Sequence, residues 1–207
     1  MSMKPSNIVA GLAAAIVAVQ GVRYITHNNS GLLRPPGSQG EQDFLSRCVK
    51  CGKCIEACPY VALAPAGDNV GFAVGTPFLD ARAQACRLCE DFPCQAACPT
   101  GALRNVWQRS DVRMGSAVIN EELCIAFKSL RCEVCYRVCP LIDEAITIDY
   151  RMRENDAIHA VFAPIIAQDS CVGCGLCVQR CVVSEPEVAI RIVTHDESIS
   201  EEDATPR

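Results

Sequence analysis

Sixteen of the 207 residues are cysteine, and their spacing constrains the fold more than any other feature. They form four sets of four with none left over. The first, Cys48, Cys51, Cys54 and Cys58, is spaced C-x2-C-x2-C-x3-C and precedes Pro59. The second, Cys86, Cys89, Cys94 and Cys98 before Pro99, has two extra residues ahead of its third cysteine, making "EDFP" the intervening stretch. The third, Cys124, Cys132, Cys135 and Cys139 before Pro140, opens on the seven-residue gap "IAFKSLR". The fourth, Cys171, Cys174, Cys177 and Cys181, has Val182 in place of proline. Aromatic residues make up only 5% of the chain, so bulky core-filling side chains are scarce. Something besides a conventional core must hold the chain together.

Cysteine at this density means disulfides, zinc or iron–sulfur clusters, and spacing decides between them. A 4Fe-4S cube offers four iron corners, each wanting one thiolate. The C-x2-C-x2-C run winds the backbone around such a cube and puts three sulfurs on three corners. The fourth cysteine leaves that loop and, in two-cluster ferredoxins, serves the neighbouring cube. Proline after it suits the first position of a helix, where its missing N–H costs nothing. Zinc takes four ligands from two separated pairs, which leaves the third cysteine and the following Cys-Pro without a purpose. A disulfide framework does not repeat one ligand grammar four times. The spacing therefore predicts four 4Fe-4S clusters, with all sixteen cysteines as iron ligands and no separate catalytic residues.

The departures from regular spacing do not remove a ligand. Loop closure costs only about 0.6 kcal/mol for each doubling of length, so bonds to iron override the longer gaps after Cys89 and Cys124. Val182 loses a helix-start preference and nothing else. Cys124 is then a ligand behind a bulged loop, because without it the third cube lacks a corner.

Along the chain, Ile8 to Val22 is a fifteen-residue apolar run between Lys4 and Arg23. It is short for a bilayer-spanning helix of about 20 residues and fits an export signal or a short anchor. The following "THNNSGLLRPPGSQGEQ" reads as a linker with an extended piece at Pro35 and Pro36. Residues 1–40 are thus expected to be anchor and linker, 41–193 the cluster-bearing body and 194–207 an acidic disordered tail. Within the body the repeat extends beyond the cysteines. Each set is followed by alanine and a branched aliphatic residue: Ala62-Leu63, Ala102-Leu103, Ala145-Ile146 and Ala189-Ile190. Short strands are expected at 115–119, 145–149, 160–167 and 188–193. The fold class is α+β, a tandem of two bacterial ferredoxin-like units.

The residues resemble the NapG/MauM group of ferredoxin-type electron-transfer proteins from about Leu33 onward. The resemblance is carried by "LLRPPG", "CVKCGKCIEACPY", "GTPFLDARAQACRLCEDFPCQAACPTGAL", "RMGSAVI", "RCEVCYRVCPLIDEAIT" and "CVGCGLCVQRCVV". It implies a relay of four 4Fe-4S clusters without substrate chemistry of its own. Electrons would pass from a membrane quinol-oxidising partner towards a periplasmic c-type cytochrome or terminal reductase. Such proteins typically carry a twin-arginine export signal, and "MSMKPSN" holds no arginine pair. The periplasmic side of the inner membrane is the expected location, with a cytoplasmic one left open. By analogy with four-cluster subunits, sets two and three would share one unit while sets one and four close a second around it. Sequential pairing is the alternative.

Formal charge is −5 at pH 7, and four oxidised clusters with their thiolates, each adding about −2, take it to about −13. That field disfavours nucleic acid and anionic lipid as partners. Lys50, Lys53, Arg87, Arg131 and Arg180 lie close to the cysteines, where they soften the field and tune potentials. His27, His159 and His195 are isolated in sequence and read as surface or packing residues. Two further functions compete with the relay: cluster-based radical chemistry, which normally leaves one iron corner free of cysteine, and clusters acting only as staples. A polyferredoxin subunit of another membrane-associated oxidoreductase is the alternative within the relay class.

Overall fold

In the computed structural model, residues 31–153 and 156–194 are described. The apolar run Ile8 to Val22, the acidic tail from residue 195, His27 and His195 lie outside them. Among the described residues no helix is long and apolar enough to cross a membrane.

After the opening helix α1 (Glu41–Arg47) come four short helices, one for each cysteine set: α2 (Lys53–Glu56), α3 (Pro93–Ala96), α4 (Val134–Arg137) and α5 (Leu176–Arg180). Each holds the third cysteine of its set, and each ends before or at the residue preceding the fourth. The prolines after the fourth cysteine therefore start turns rather than helices, contrary to the sequence expectation. Val61 N–H donates to the Cys58 carbonyl at 3.1 Å, closing a turn over Pro59 and Tyr60. Proline is suited to the second position of such a turn because its φ is already set near −65°.

Among the described residues, six strands form three antiparallel pairs: β1 (Ala64–Pro65) with β2 (Pro77–Phe78), β3 (Ser116–Ile119) with β6 (Ile190–Val193), and β4 (Ile146–Arg153) with β5 (Asp156–Ile166). All four expected strand regions are found, and the β4–β5 hairpin runs longer than the sequence suggested. The β3–β6 register, from Ser116 opposite Val193 to Ile119 opposite Ile190, joins the chain before the third cysteine set to the chain after the fourth. Sets three and four are thereby enclosed in one unit. In the other unit, α2 packs on α3, and in this one α4 packs on α5. The pairing is sequential, one with two and three with four, and the nested arrangement is corrected. The strand pair flanking sets three and four is the physical reason, since it closes that unit without the first set.

The repeated alanine–aliphatic pairs are all buried. Their role is to fill the small space under each cysteine loop, where larger side chains would not fit. The main core gathers Phe44, Leu63, Leu79, Leu88, Leu103 and Val112 with Val172, Cys174 and Leu176 of the fourth set, so the two units share it. Fully burying one such large side chain is worth about 1.5–3 kcal/mol.

Leu33 to Gly37, expected as linker, is instead packed into the body. Pro35 and Pro36 are fully buried, Leu79 N–H donates to the Leu33 carbonyl at 2.8 Å, and Arg104 N–H donates to the Gly37 carbonyl at 2.9 Å. A Cβ on Gly37 would stand 2.2 Å from the Arg104 carbonyl oxygen, so only glycine allows this approach. Buried Arg34 holds the strap. It pairs with Glu41, donates to Thr76 Oγ1 at 2.8 Å and the Pro77 carbonyl at 2.9 Å, and lies 4.8 Å from the Phe44 ring centroid.

Candidate metal-cluster sites

The sixteen cysteines are free thiols lining four cavities, four to a cavity. Quartet A is Cys48, Cys51, Cys54 and Cys98. Quartet B is Cys58, Cys86, Cys89 and Cys94. Quartet C is Cys124, Cys132, Cys135 and Cys181. Quartet D is Cys139, Cys171, Cys174 and Cys177, with Cys135 also on its border. Every quartet takes three cysteines from one set and the fourth from its partner set. This is the exchange that two-cluster ferredoxins use, applied twice.

The donor set fits a cluster better than a single ion. Four thiols surround each cavity without converging on a point: among the described residues no three Cys, His, Asp or Glu side chains come close enough to hold one metal ion. A cube with one iron behind each thiolate spans such a cavity, whereas zinc draws four sulfurs to about 2.3 Å.

Backbone amides aim at the sulfurs. Ala62 N–H donates to Cys58 Sγ at 3.4 Å, Leu88 N–H to Cys86 Sγ at 3.5 Å, and Ala117 N–H to Cys171 Sγ at 3.3 Å. Burial works the other way on most thiols. It pushes Cys54 and Cys86 up to about 11, and Cys94, Cys135 and Cys174 up to about 12, with neighbouring thiols adding to the rise. Cys177 is raised by burial and by Cys174, Cys171 and Cys135. Such sites stay protonated until cationic iron compensates the thiolates, so cluster insertion releases protons. Cys98 is the exception. Burial raises it, but N–H groups of Leu103, Thr100 and Ala102 and the Thr100 hydroxyl outweigh that and hold it below the usual thiol range.

The quartets stand in a row. Helices α2 and α3, which carry Cys54 of quartet A and Cys94 of quartet B, pack together, Cys86 of B and Cys174 of D are joined by a backbone hydrogen bond, and Cys135 of C also borders the cavity of D. The order is A, B, D, C, which departs from the order of the sequence. At the central junction Cys86 N–H donates to the Cys174 carbonyl at 3.0 Å. Glycines make this approach possible: a Cβ on Gly173 would lie 2.6 Å from the Gly115 backbone and one on Gly175 would lie 2.6 Å from Ala81 Cβ.

The 4Fe-4S dicluster domain family matches this chain twice, over residues 47–102 and 124–184, each match taking in two consecutive cysteine sets. The ferredoxin-type protein NapG of Escherichia coli (strain K12) is 46% identical over 183 residues, 87% of this chain and 79% of its own. The methylamine utilization ferredoxin-type protein MauM of Paracoccus denitrificans (strain Pd 1222) is 41% identical over 177 residues, 84% of this chain and 77% of its own. The chain belongs to the NapG/MauM ferredoxin-type family. MauM of Methylorubrum extorquens (strain ATCC 14718 / DSM 1338 / JCM 2805 / NCIMB 9133 / AM1) is a further member, 42% identical over 166 residues, 79% of this chain and 73% of its own. This NapG/MauM-type chain is accordingly an electron-transfer iron–sulfur protein with four 4Fe-4S clusters.

Two residues of the sites escaped the sequence reading. Phe92, inside "EDFP", is buried with φ of 40° and stands immediately before α3, so the insertion anchors the loop of quartet B in the core. Thr100 lies with its hydroxyl 3.8 Å from Cys98 Sγ. Comparing the residue two places after each fourth cysteine, Tyr60, Thr100, Leu141 and Val183, would have marked Thr100 as the one short hydroxyl. Of the cations near the cysteines, Lys50 Nζ donates to the Phe72 carbonyl at 3.1 Å, and Arg131 pairs with Glu133 while lying 5.0 Å from the Phe162 ring centroid.

Proposed function

We propose that this chain relays electrons along the row A, B, D, C, from a membrane quinol-oxidising partner towards a periplasmic c-type cytochrome or terminal reductase. The observation that carries this reading is the row itself: A adjoins B through the packed helices α2 and α3, B adjoins D through the Cys86–Cys174 backbone hydrogen bond, and D adjoins C at Cys135. All sixteen cysteines would hold the iron of the clusters. The clusters, when bound, supply one-electron oxidation and reduction. The rest is the work of the protein. Apolar side chains exclude water from the cavities, N–H groups stabilise the thiolates, and the Cys86–Cys174 hydrogen bond joins the two units at the middle of the row. The chain carries no substrate chemistry of its own.

The names of the relatives, ferredoxin-type and methylamine utilization, support an electron-transfer role and, on the side of MauM, service to methylamine utilization. The apolar run Ile8 to Val22 supports placement at the periplasmic face of the inner membrane, as anchor or export signal. Anaerobic membranes from the native host, supplied with a quinol, should bleach the visible absorbance of the added holoprotein. Heat-treated membranes should not. Equal bleaching without active membranes, or none with them, would contradict the assignment of the donor.

A further inference from the structure

Quartet A differs from the other three at its surface. Cys51 is the only exposed cysteine of the sixteen. Its neighbour Val49 is 63% exposed, Lys50 Nζ donates to the Phe72 carbonyl at 3.1 Å, and Phe72 is 71% exposed. Gly52 completes the patch, because nothing lies within 4 Å of the place its Cβ would occupy. A second protein's backbone therefore has room to come up against this cysteine loop. Exposed apolar side chains grouped around such a loop are the ordinary mark of a contact surface.

The charge of this face runs against that of the molecule. The chain is formally −5 before any iron is bound. Lys50 and Lys53, both exposed, flank Cys51 and Gly52. At the far end of the row, Glu121, Glu122, Glu185 and Glu187 stand among Lys128, Arg131, Arg137 and Arg180, and Glu133 is paired with Arg131 and Arg137, so the charge there is mixed. Quartet A is where two exposed lysines flank an exposed cysteine. We propose that the face formed by Val49, Lys50, Cys51, Gly52, Lys53 and Phe72 is a docking port for a redox protein whose own docking rim is acidic. This rests on the relay reading. The lysines steer the partner, and the apolar pair and the open glycine let its redox centre approach the exposed ligand.

The test uses the anaerobic holoprotein in full length and two small carriers as probes, an acidic flavodoxin and a basic c-type cytochrome. Binding is followed by calorimetry and electron exchange by stopped flow. The acidic carrier should bind and react faster at low salt, and both should weaken as salt rises. Lys50→Glu with Lys53→Glu should slow the reaction with it about tenfold or more while iron content stays unchanged. Lys50→Gln with Lys53→Gln should give an intermediate loss, and Lys128→Glu at the other end should leave the rate within about twofold. A rate indifferent to the Lys50 and Lys53 changes, or lowered equally by Lys128→Glu, would overturn the port. So would loss of binding to anionic phospholipid vesicles or loss of self-association in the same variants without an effect on the carrier. If the clusters fail to cycle even with small-molecule mediators, the relay reading itself fails, and that result is separable from loss of the carrier effect alone.

Discussion

At Cys124 the seven-residue gap is closed by hydrogen bonds. Phe127 N–H donates to the Cys124 carbonyl at 3.2 Å and Leu130 N–H to the Ile125 carbonyl at 3.1 Å, with buried Ala126 beneath. The bulge foreseen from sequence is thus a compact turn that returns the chain to Cys132. Its placement with Cys181 gives a sharp test. Cys124→Ser should lower iron from about sixteen to about twelve per chain, and Cys181→Ser should empty the same site. The double variant should then also retain about twelve. Under nested pairing Cys181 would serve a different cube, and the double variant would fall to about eight. Counting iron and sulfide in the three variants decides the matter. Gly173 offers a second test, with φ of 70° and the Gly115 backbone 2.6 Å from a would-be Cβ. Gly173→Ala should cost about 2–4 kcal/mol, combining left-handed strain with overpacking, and a lowered denaturant midpoint would report it. The cysteines were legible as single residues because each belongs to a spacing. Gly173 and Thr100 were not, because what they touch lies at the end of a fold rather than a motif.

Helices of four or five residues are too short to be stable by propensity alone, so α2 to α5 exist because their cysteines and packing hold them. This explains what sequence reading caught and missed at this scale. The β regions at 115–119 and 188–193 are short apolar runs with β-branched residues, and they are visible in the sequence. The proline turns were read as helix starts because the same fixed φ serves both, and "LLRPPG" looked like a linker because its burial depends on Arg34 meeting Thr76, forty-two residues away. The junction of the two units rests on similar long-range contacts. Arg82 donates to the carbonyls of Val178 at 2.9 Å, Gln179 at 3.2 Å and Cys181 at 3.0 Å, covering the C-terminal end of α5, while Gln179 Nε2 donates to the Ala83 carbonyl at 3.1 Å. Arg82→Ala removes a cation from a helix C-terminus and leaves those carbonyls to water. It should cost about 1–2 kcal/mol. The expected sign is a lower thermal midpoint with unchanged iron content. An unchanged midpoint would show that the core alone holds the junction.

For the whole molecule, the number of clusters was readable and their arrangement was not. Sixteen cysteines in four complete sets specify four cubes whatever the topology. Which sets pair depends on β3 meeting β6, a contact seventy-seven residues apart in the chain by its register of Ser116 with Val193, and spacing carries no signal of that. The shared core, with Cys54, Cys94 and Cys174 among its buried members, also makes the clusters part of the fold. Removing iron with a chelator under anaerobic conditions should therefore loosen both units together, seen as loss of near-ultraviolet circular dichroism, since each cavity is left with buried thiols around empty space. The most direct measurement of the central claim is a potentiometric titration of the anaerobically purified chain, followed by electron paramagnetic resonance, with iron and sulfide counted on the same sample. About sixteen of each per chain and four one-electron steps, with signals broadened by spin coupling between neighbours in the row, are expected. Zinc with little sulfide, or clusters that never change state in an accessible range, would contradict it.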